Sequence, residues 1–395
     1  MMQRRLYAIL GLCLATGLST QIAEPVVDPV VDPVVEPKVE PKVEQAAEQP
    51  AYEWQLPAWV PRPRVPEDNP MSEAKVALGR RLFYDTRLSR DETLSCGSCH
   101  QQDKAFTDGR AKPTGIDGAL GLRSAMALVN LAYLPTLTWA NPLLKKLETQ
   151  ALIPIFGSHP VEMGMEGKED LLLSRLAADA DYPALFRAAF PAAAEPITLD
   201  TITKALASFE RSLVSFNAPY YRYKYLGERE ALSESAIRGE SLFFSEQFEC
   251  YHCHGGLNFT DNLVHMRLPF EESGFHNTGL YNLDGKGAYP VDNPGLREVT
   301  DNPADEGKFR TPTLLNVAVT APYMHDGSIA TLEEVLTTHY ALRGKAVSDG
   351  QEASPLRDPL LVGYDYSEQD IADLLAFLQA LTDEEFLKNP AHAAP

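Results

Sequence analysis

The chain has 395 residues, of which 44% are hydrophobic, enough for two domains of ordinary size plus a tail. Its formal net charge of −20 at pH 7 argues against nucleic-acid binding, because phosphate backbones are bound by basic faces. The same charge favours solubility and, more weakly, a basic protein partner.

Residues 1–23 have the pattern of an export signal. Two arginines precede an apolar run, Leu6–Leu18, that is too short to cross a bilayer as a helix. Cys13 lies where a lipoprotein cysteine could lie, but Leu12 before it is larger than lipid-transferring enzymes usually accept. We therefore predict export to the periplasm, and leave open whether the protein is cleaved and soluble or anchored to a membrane through Cys13.

Residues 24–60 are rich in proline, valine and glutamate. Proline recurs every four residues from Pro25 to Pro41. Such a segment cannot bury a core, so we predict an extended, semi-rigid spacer that binds nothing itself.

The remaining four cysteines form two close pairs, each followed at once by histidine. An exported protein would ordinarily use cysteines in disulfides, but C-x-x-C-H is the attachment signature of c-type haem. Two thiols bind the porphyrin covalently and the adjacent histidine binds the iron. A zinc site or a thioredoxin-type redox pair explains neither the distance between the pairs nor the repeated histidine. The predicted haem-binding residues are Cys96, Cys99 and His100 in the first motif, and Cys250, Cys253 and His254 in the second.

The segments before the two motifs resemble each other. Ser72 and Ser233 are predicted helix N-caps, and each helix then carries G-x-x-L-F, with glycines at Gly79 and Gly239. Because glycine inside a helix costs about 1 kcal/mol relative to alanine, its repetition predicts a close helix crossing. Amphipathic stretches at 199–216 and 367–381 are suitable partner helices.

The repeat predicts a mainly α-helical fold of two tandem cytochrome c-like domains, each with one covalently bound haem. We place the N-terminal domain at 61–228, the C-terminal domain at 229–388 and a short tail at 389–395.

Several longer motifs resemble the bacterial di-haem cytochrome c peroxidase superfamily, in particular its MauG-like branch and the MbnH-type enzymes. The resemblance covers about residues 60–388. Its motifs are LTWANP (137–142), LETQALIPIFGSHPVEMG (147–164), LFFSEQFECYHCHGG (242–256), FHNTGLYNLDGKGAYP (275–290) and FRTPTLLNVAVTAPYMHDGSIATLEEV (309–335).

The resemblance implies that the first haem reacts with peroxide, and that Gln150, Pro154 and Glu162 line its far side. It also implies that Trp139 stands between the two haems. On the residues alone, Glu162 is equally well a solvated carboxylate and Trp139 a core residue. In classical bacterial peroxidases, a histidine in the region before the position of His159 blocks the first iron in the oxidised enzyme and can move away. Because none is present between His100 and His159, we expect the first iron to stay five-coordinate.

The second haem's distal ligand is expected after the PYMHDG segment. Counting without gaps from Leu332 gives His339, whereas keeping the His-Tyr pair aligned with the family requires one extra residue and gives Tyr340. Neighbouring helical residues point about 100° apart, so one of the two faces the iron, and we favour Tyr340. No methionine, the usual peroxidase ligand, lies between Thr331 and Arg343.

The predicted function is a hydrogen-peroxide-dependent di-haem oxidoreductase. The resemblance implies that such an enzyme oxidises a residue of a partner protein, commonly tryptophan. The alternatives are a cytochrome c peroxidase that takes electrons from a small cytochrome, and a non-enzymatic di-haem electron carrier. The resemblance further implies Ca²⁺, with backbone carbonyls near Arg310 and Pro312 as ligands; carbonyl ligands leave no signature in the sequence.

Overall fold

The computed structural model describes residues 52–344 and 352–395. The predicted export signal, Cys13 and most of the spacer lie outside the described residues. Within these ranges the fold is mainly helical, as predicted, with two short antiparallel ribbons. No described helix is long and apolar enough to cross a membrane.

The elements are numbered in chain order. The helices are α1 (Glu73–Phe83), α2 (Cys96–Cys99), α3 (Leu147–Gln150), α4 (Leu152–Phe156), α5 (Glu169–Ala177), α6 (Tyr182–Ala189), α7 (Leu199–Ser212), α8 (Pro219–Leu226), α9 (Glu234–Phe243), α10 (Tyr251–His254), α11 (Arg297–Thr300), α12 (Leu332–Glu334), α13 (Glu368–Gln379) and α14 (Glu384–Lys388). A π-helical segment, Val335–Tyr340, continues α12. Single 3₁₀ turns cover Thr86–Leu88, Gln102–Lys104, Leu131–Tyr133, Arg229–Ala231, Pro303–Asp305 and Val317–Val319.

Two ribbons brace the segments around the second cysteine motif. Strand β1 (Asn262–Leu263) pairs with β2 (Glu272–Ser273), and β3 (Phe275–His276) pairs with β4 (Phe309–Arg310). Their register places Asn262 opposite Ser273, and Phe275 opposite Arg310.

The predicted glycine crossings are present in both halves. Helix α1 packs on α7, and α9 packs on α13. A Cβ atom added to Gly79 would lie 1.9 Å from the carbonyl oxygen of Ala205, and one added to Gly239 would lie 1.9 Å from that of Asp373. No side chain fits at either place, so the two backbones can touch only at glycine.

The helix starts also agree with the predictions. The hydroxyl of Ser72 accepts a hydrogen bond from the amide of Lys75, and that of Ser233 accepts one from Ala236. Each cap satisfies an otherwise unpaired donor of the first turn. One continuous hydrophobic core contains residues of both predicted domains, for example Leu78 of the first and Phe377 of the second. The boundary at 228/229 stays a prediction.

Two described segments that flank the body, residues 52–60 and 389–395, pack on it more closely than the sequence indicated. Residues 52–60 belong to the predicted spacer, yet Val60 is buried in the main core and Trp59 lies against aromatic side chains of α8. In the predicted tail, the carbonyl of Ala393 accepts a hydrogen bond from Arg80 at 2.6 Å, and the carbonyl of His392 accepts one from Tyr84 at 2.7 Å.

We expect Gly239→Ala to lower the free energy of unfolding by about 1–3 kcal/mol, because the added methyl group overpacks a backbone contact. Thermal unfolding of the haem-loaded protein measures this effect. Ser241→Ala, on the exposed face of the same helix, is the control and should change the midpoint little. Equal midpoints for the two variants would contradict the close crossing.

Candidate functional site

The two C-x-x-C-H motifs have the same local structure. Each forms a single helical turn, α2 or α10, with its histidine at the end. The Nδ1 of His100 donates to the carbonyl of Phe106 at 2.6 Å, and that of His254 donates to the carbonyl of Phe259 at 3.1 Å. Both phenylalanines are buried and have positive φ, 63° and 48°. This hydrogen bond fixes the ring and its tautomer, leaving Nε2 free to bind a metal.

The thiols of Cys96, Cys99 and Cys250 are neutral in their surroundings. Burial raises the pKa of Cys99 to about 11 and that of Cys250 to about 12, and it raises the pKa of Cys96 further still. None of the described cysteines forms a disulfide. Protonated thiols adjacent to a histidine suit addition to a haem vinyl group better than they suit a thiolate metal site.

A cavity of about 260 Å³ opens beside the second motif. Its walls bring together side chains far apart in the chain, and most of them are apolar. The lining includes Cys250, Cys253, His254, Trp139, Arg310, Met324, His325 and Tyr340.

Two buried polar groups on this wall show that the cavity suits a haem. The guanidinium of Arg310 is buried and donates to the neutral carbonyls of Thr138 and Thr311, at 3.1 and 3.3 Å. No carboxylate of the described residues lies within ion-pair distance of it. Burial lowers its pKa to about 10, so it remains charged at neutral pH. The buried Nε2 of His325 makes no hydrogen bond among the described residues. An anionic group such as a haem propionate would satisfy such a cation.

Of the two predicted ligand candidates, His339 and Tyr340, only Tyr340 lines this cavity among the described residues. His339 is also buried. The intervening turn is π-helical: the amide of Ala341 donates to the carbonyl of Leu336, five residues earlier, at 3.1 Å. Burial raises the pKa of the Tyr340 hydroxyl. The geometry therefore favours Tyr340 over His339 as the group facing the second motif.

Glu162 lies near the first motif. Burial raises the pKa of its carboxyl group, and its charge contributes to the raised pKa of the Cys96 and Cys99 thiols. Among the described residues its carboxylate makes no hydrogen bond, while its backbone carbonyl accepts one from Ile116 at 2.9 Å. The backbone is thus held while the carboxylate is left available for a proton transfer.

The other predicted residues of the first site lie on adjacent elements. Gln150 ends α3, and Pro154 lies in α4. The carbonyl of Pro154 accepts a hydrogen bond from Met163 at 3.0 Å, which ties α4 to the segment that carries Glu162. His159 is exposed, and its Nδ1 donates to the carbonyl of Ser158 at 2.6 Å.

Trp139 is held by two backbone contacts. Its indole Nε1 donates to the carbonyl of Ser124 at 3.0 Å, and its own carbonyl accepts from the amide of Arg310 at 2.7 Å. The same cavity wall contains Thr107, which follows the carbonyl that holds His100. Trp139 and Thr107 therefore line one cavity together with His254 of the second motif.

His276, which no sequence pattern singles out, lies between two carboxylates beside the second motif. Its Nε2 donates to Asp261 and its Nδ1 donates to Asp358, each at 2.6 Å. Hydrogen bonds to Asp261, then to the Cys253 thiol and Asp358, raise its pKa to about 11. Gly274 permits the approach, since a Cβ there would lie 1.8 Å from an oxygen of Asp261. His276 thus links the second motif to the segment after 351.

Comparisons with known proteins agree with this geometry. A family model described as di-haem cytochrome c peroxidase matches residues 73–230. The methylamine utilization protein MauG of Methylophilus methylotrophus is 34% identical over 334 residues, which cover 84% of this chain and 88% of that protein. Cytochrome c551 peroxidase of Pseudomonas aeruginosa is 29% identical over 316 residues, covering 80% of this chain and 81% of that one.

A solved structure is also similar. It is described as a MauG-like protein associated with microbial copper homeostasis, and it is 49% identical with a TM-score of 0.84. The match covers 87% of this chain and 99% of that chain.

We expect the charged bridge at His276 to stabilise the protein most below about pH 6.5, the ordinary histidine pKa, as long as Asp358 remains ionised. Because the folded-state pKa is raised, this contribution is lost as the pH rises from there towards 11. The difference in unfolding midpoint between wild type and His276→Gln should therefore shrink with rising pH. Exposed His252, mutated to Gln, is the control. A difference that is constant from pH 6 to pH 10 would contradict the charged bridge.

Proposed function

Because this chain belongs to the di-haem cytochrome c peroxidase superfamily, in its MauG-like branch, we propose that it uses hydrogen peroxide to oxidise a residue of a partner protein. Membership makes it an oxidoreductase of the peroxidase type and implies two haem c groups. A tryptophan is the proposed target, and the partner docks on the surface without entering a haem pocket. Each haem is held by one C-x-x-C-H motif, within its own cytochrome c-like domain.

Peroxide cleavage requires an open metal face and a group that moves a proton between the two oxygens. Haem iron supplies the first, and Glu162 is our candidate for the second. Its raised pKa and its carboxylate without a hydrogen bond among the described residues support this role, because a partly buried carboxylate takes and returns a proton near neutral pH more readily than a solvated one. Gln150 and Pro154 shape the pocket rather than react.

The fixed position of Trp139 supports charge sharing between the haems. Trp139 is fixed through its indole N–H and its carbonyl, so its ring has a defined orientation on the wall of the second cavity. An indole in this position can give up and regain an electron and so couple the two metals. Core packing and electron relay are compatible functions of the same side chain.

The observation that carries the choice of a MauG-like activity is Tyr340 on the wall of the second cavity. An anionic oxygen ligand lowers the potential of a haem and favours its oxidised states, whereas a methionine thioether raises it. Met324 lines the same cavity but also packs in the hydrophobic cluster around Phe309 and Ile329, which favours a packing role.

The second candidate is a cytochrome c peroxidase that draws electrons from a small cytochrome. The net charge of −20 favours a basic donor of this kind, and the similarity to cytochrome c551 peroxidase is extensive. The third alternative from the sequence, a non-enzymatic carrier, is set aside because the family consists of peroxidase-type enzymes.

Two further parts of the proposal concern the surroundings of the enzyme. We propose a periplasmic location, with Cys13 as the anchoring residue if a lipid is attached. We also propose Ca²⁺ bound by backbone carbonyls near Arg310 and Pro312, as the family resemblance implies.

The proposal is tested by adding hydrogen peroxide to the fully oxidised holoprotein without any reductant. We expect a long-lived state that holds two oxidising equivalents. Absorption spectroscopy measures its formation and decay. Glu162→Gln should slow its formation by about 10²–10⁴-fold, the usual contribution of a general acid–base group. The ionised carboxylate of Glu162 is the active form, so the wild-type rate should fall as the pH is lowered through the pKa of this group. Because burial raises that pKa, the fall should occur at a higher pH than it would for a solvent-exposed glutamate.

Glu166→Gln, an exposed neighbour, is the matched control and should react at the wild-type rate. A requirement for prior half-reduction would instead support the cytochrome c peroxidase. After peroxide treatment, mass spectrometry of candidate partner proteins should show added oxygen on tryptophan.

The ligand assignment is tested by comparing Tyr340→Phe with His339→Gln. Loss of the phenolate should raise the potential of the second haem by on the order of 100 mV, since axial ligands set haem potentials over about 0.8 V. His339→Gln should leave the potential and the spectrum nearly unchanged. Potentiometric titration measures both variants, and the opposite pattern would assign His339.

A further inference from the structure

Residues 52–60 pack on α8, where the ring of Trp59 stacks on that of Tyr225. The rings of Trp59 and Tyr225 lie 4.1 Å apart between centroids and are inclined by 10°. Tyr225 is 49% exposed, whereas Trp59 is half-buried. The pair therefore has one face on the protein surface and the other against the core.

A buried tyrosine connects this pair with the second motif. The ring of Tyr221 lies 5.1 Å from that of Trp59 and 6.1 Å from that of Tyr225. Tyr221 is 1% exposed, and its hydroxyl donates to the carbonyl of Leu257 at 2.6 Å.

From the Leu257 carbonyl, the path then continues along the backbone to Phe259. Leu257 and Phe259 belong to the loop after the second motif, and the carbonyl of Phe259 accepts the hydrogen bond from His254. The Tyr221 ring also lies 6.4 Å from the ring of Phe259. A chain of ring contacts and hydrogen bonds thus runs without a gap from the proximal histidine to the surface.

The residue types on this path are those that can lose one electron. Tryptophan and tyrosine are oxidised far more easily than phenylalanine or aliphatic residues, and electronic coupling is strongest between groups in van der Waals contact. Phe216, which also touches Trp59 with centroids 5.9 Å apart, cannot serve this purpose.

We propose that the Trp59–Tyr225 pair is a surface relay through which electrons pass from outside, by way of Tyr221, to the second haem. The inference rests on the proposed function, since peroxide must first oxidise the haem pair. It identifies where the partner's oxidisable residue docks: against the exposed face of Tyr225. Without a partner, the pair itself supplies the electrons.

The oxidised haem pair gains one electron and loses one oxidising equivalent of those supplied by peroxide. Tyr225 loses that electron and releases its phenolic proton to water. Trp59 acts in between as a transient cation, because its indole N–H is buried and has no acceptor among the described residues. Its proton therefore stays in place while the electron passes.

The test uses the holoprotein alone, treated with hydrogen peroxide in the absence of reductant and partner. In the wild type, we expect peptide mapping by mass spectrometry to find Trp59 and Tyr225 oxidised. Where one of these side chains supplies both electrons that the two oxidising equivalents require, it takes up an oxygen atom from water and releases two protons. In Trp59→Phe/Tyr225→Phe, the peroxide-oxidised state should persist several-fold longer, because the electron source has been removed. Trp54→Phe is the matched control: Trp54 is half-buried in the same segment but contacts Tyr52, away from the path.

Tyr221→Phe provides a second variant that leaves the surface pair intact. It should lengthen the lifetime as well and should leave Trp59 and Tyr225 unmodified. Unchanged decay in both variants, with oxidation at other sites, would overturn the relay while leaving the proposed function in place. Failure of the wild type to form any peroxide-oxidised state would overturn the proposed function, and the relay with it.

Discussion

The structure depends on two backbone-to-backbone helix contacts that only glycine allows. In each half, the helix before the cysteine motif touches a later helix so closely that its glycine stands against a carbonyl oxygen. This contact fixes the angle and depth at which the helix enters the core, and the cysteine motif begins at Cys96 after α1 and at Cys250 after α9. The position of each histidine is thus set by a contact made well before it in the chain.

Once the motifs are placed, the same hydrogen bond orients both histidines, and the surroundings make the two sites different. Near the first motif, the carboxylate of Glu162 has no hydrogen-bond partner within residues 52–344 and 352–395. Near the second, the wall carries Tyr340, Trp139 and a buried arginine that has only neutral partners. The two halves therefore share one backbone arrangement but differ in the side chains around each cysteine motif. Such a difference is what the proposed function requires, with peroxide reacting at one site and charge stored at the other.

The sequence was sufficient for the features that are local or repeated. The motifs, the capping serines, the glycine crossings and the helical fold class all follow from short patterns, and the structure agrees with them. His276 was not identified, because its two carboxylates come from segments far away in the chain and no spacing rule connects them. The packing of residues 52–60 was missed because their composition continues a proline-rich spacer, while their contacts depend on α8.

The π-helical turn has a consequence for the ligand itself. In an ordinary helix each amide bonds four residues back, and the same stretch of chain would present His339 to the cavity. Bonding five residues back accommodates one additional residue and rotates Tyr340 into that place. Phenol and imidazole are therefore exchanged by a shift in backbone register, with no substitution at either position. A distant change that favours the tighter turn would therefore change which of the two side chains lines the cavity, without a substitution at His339 or Tyr340.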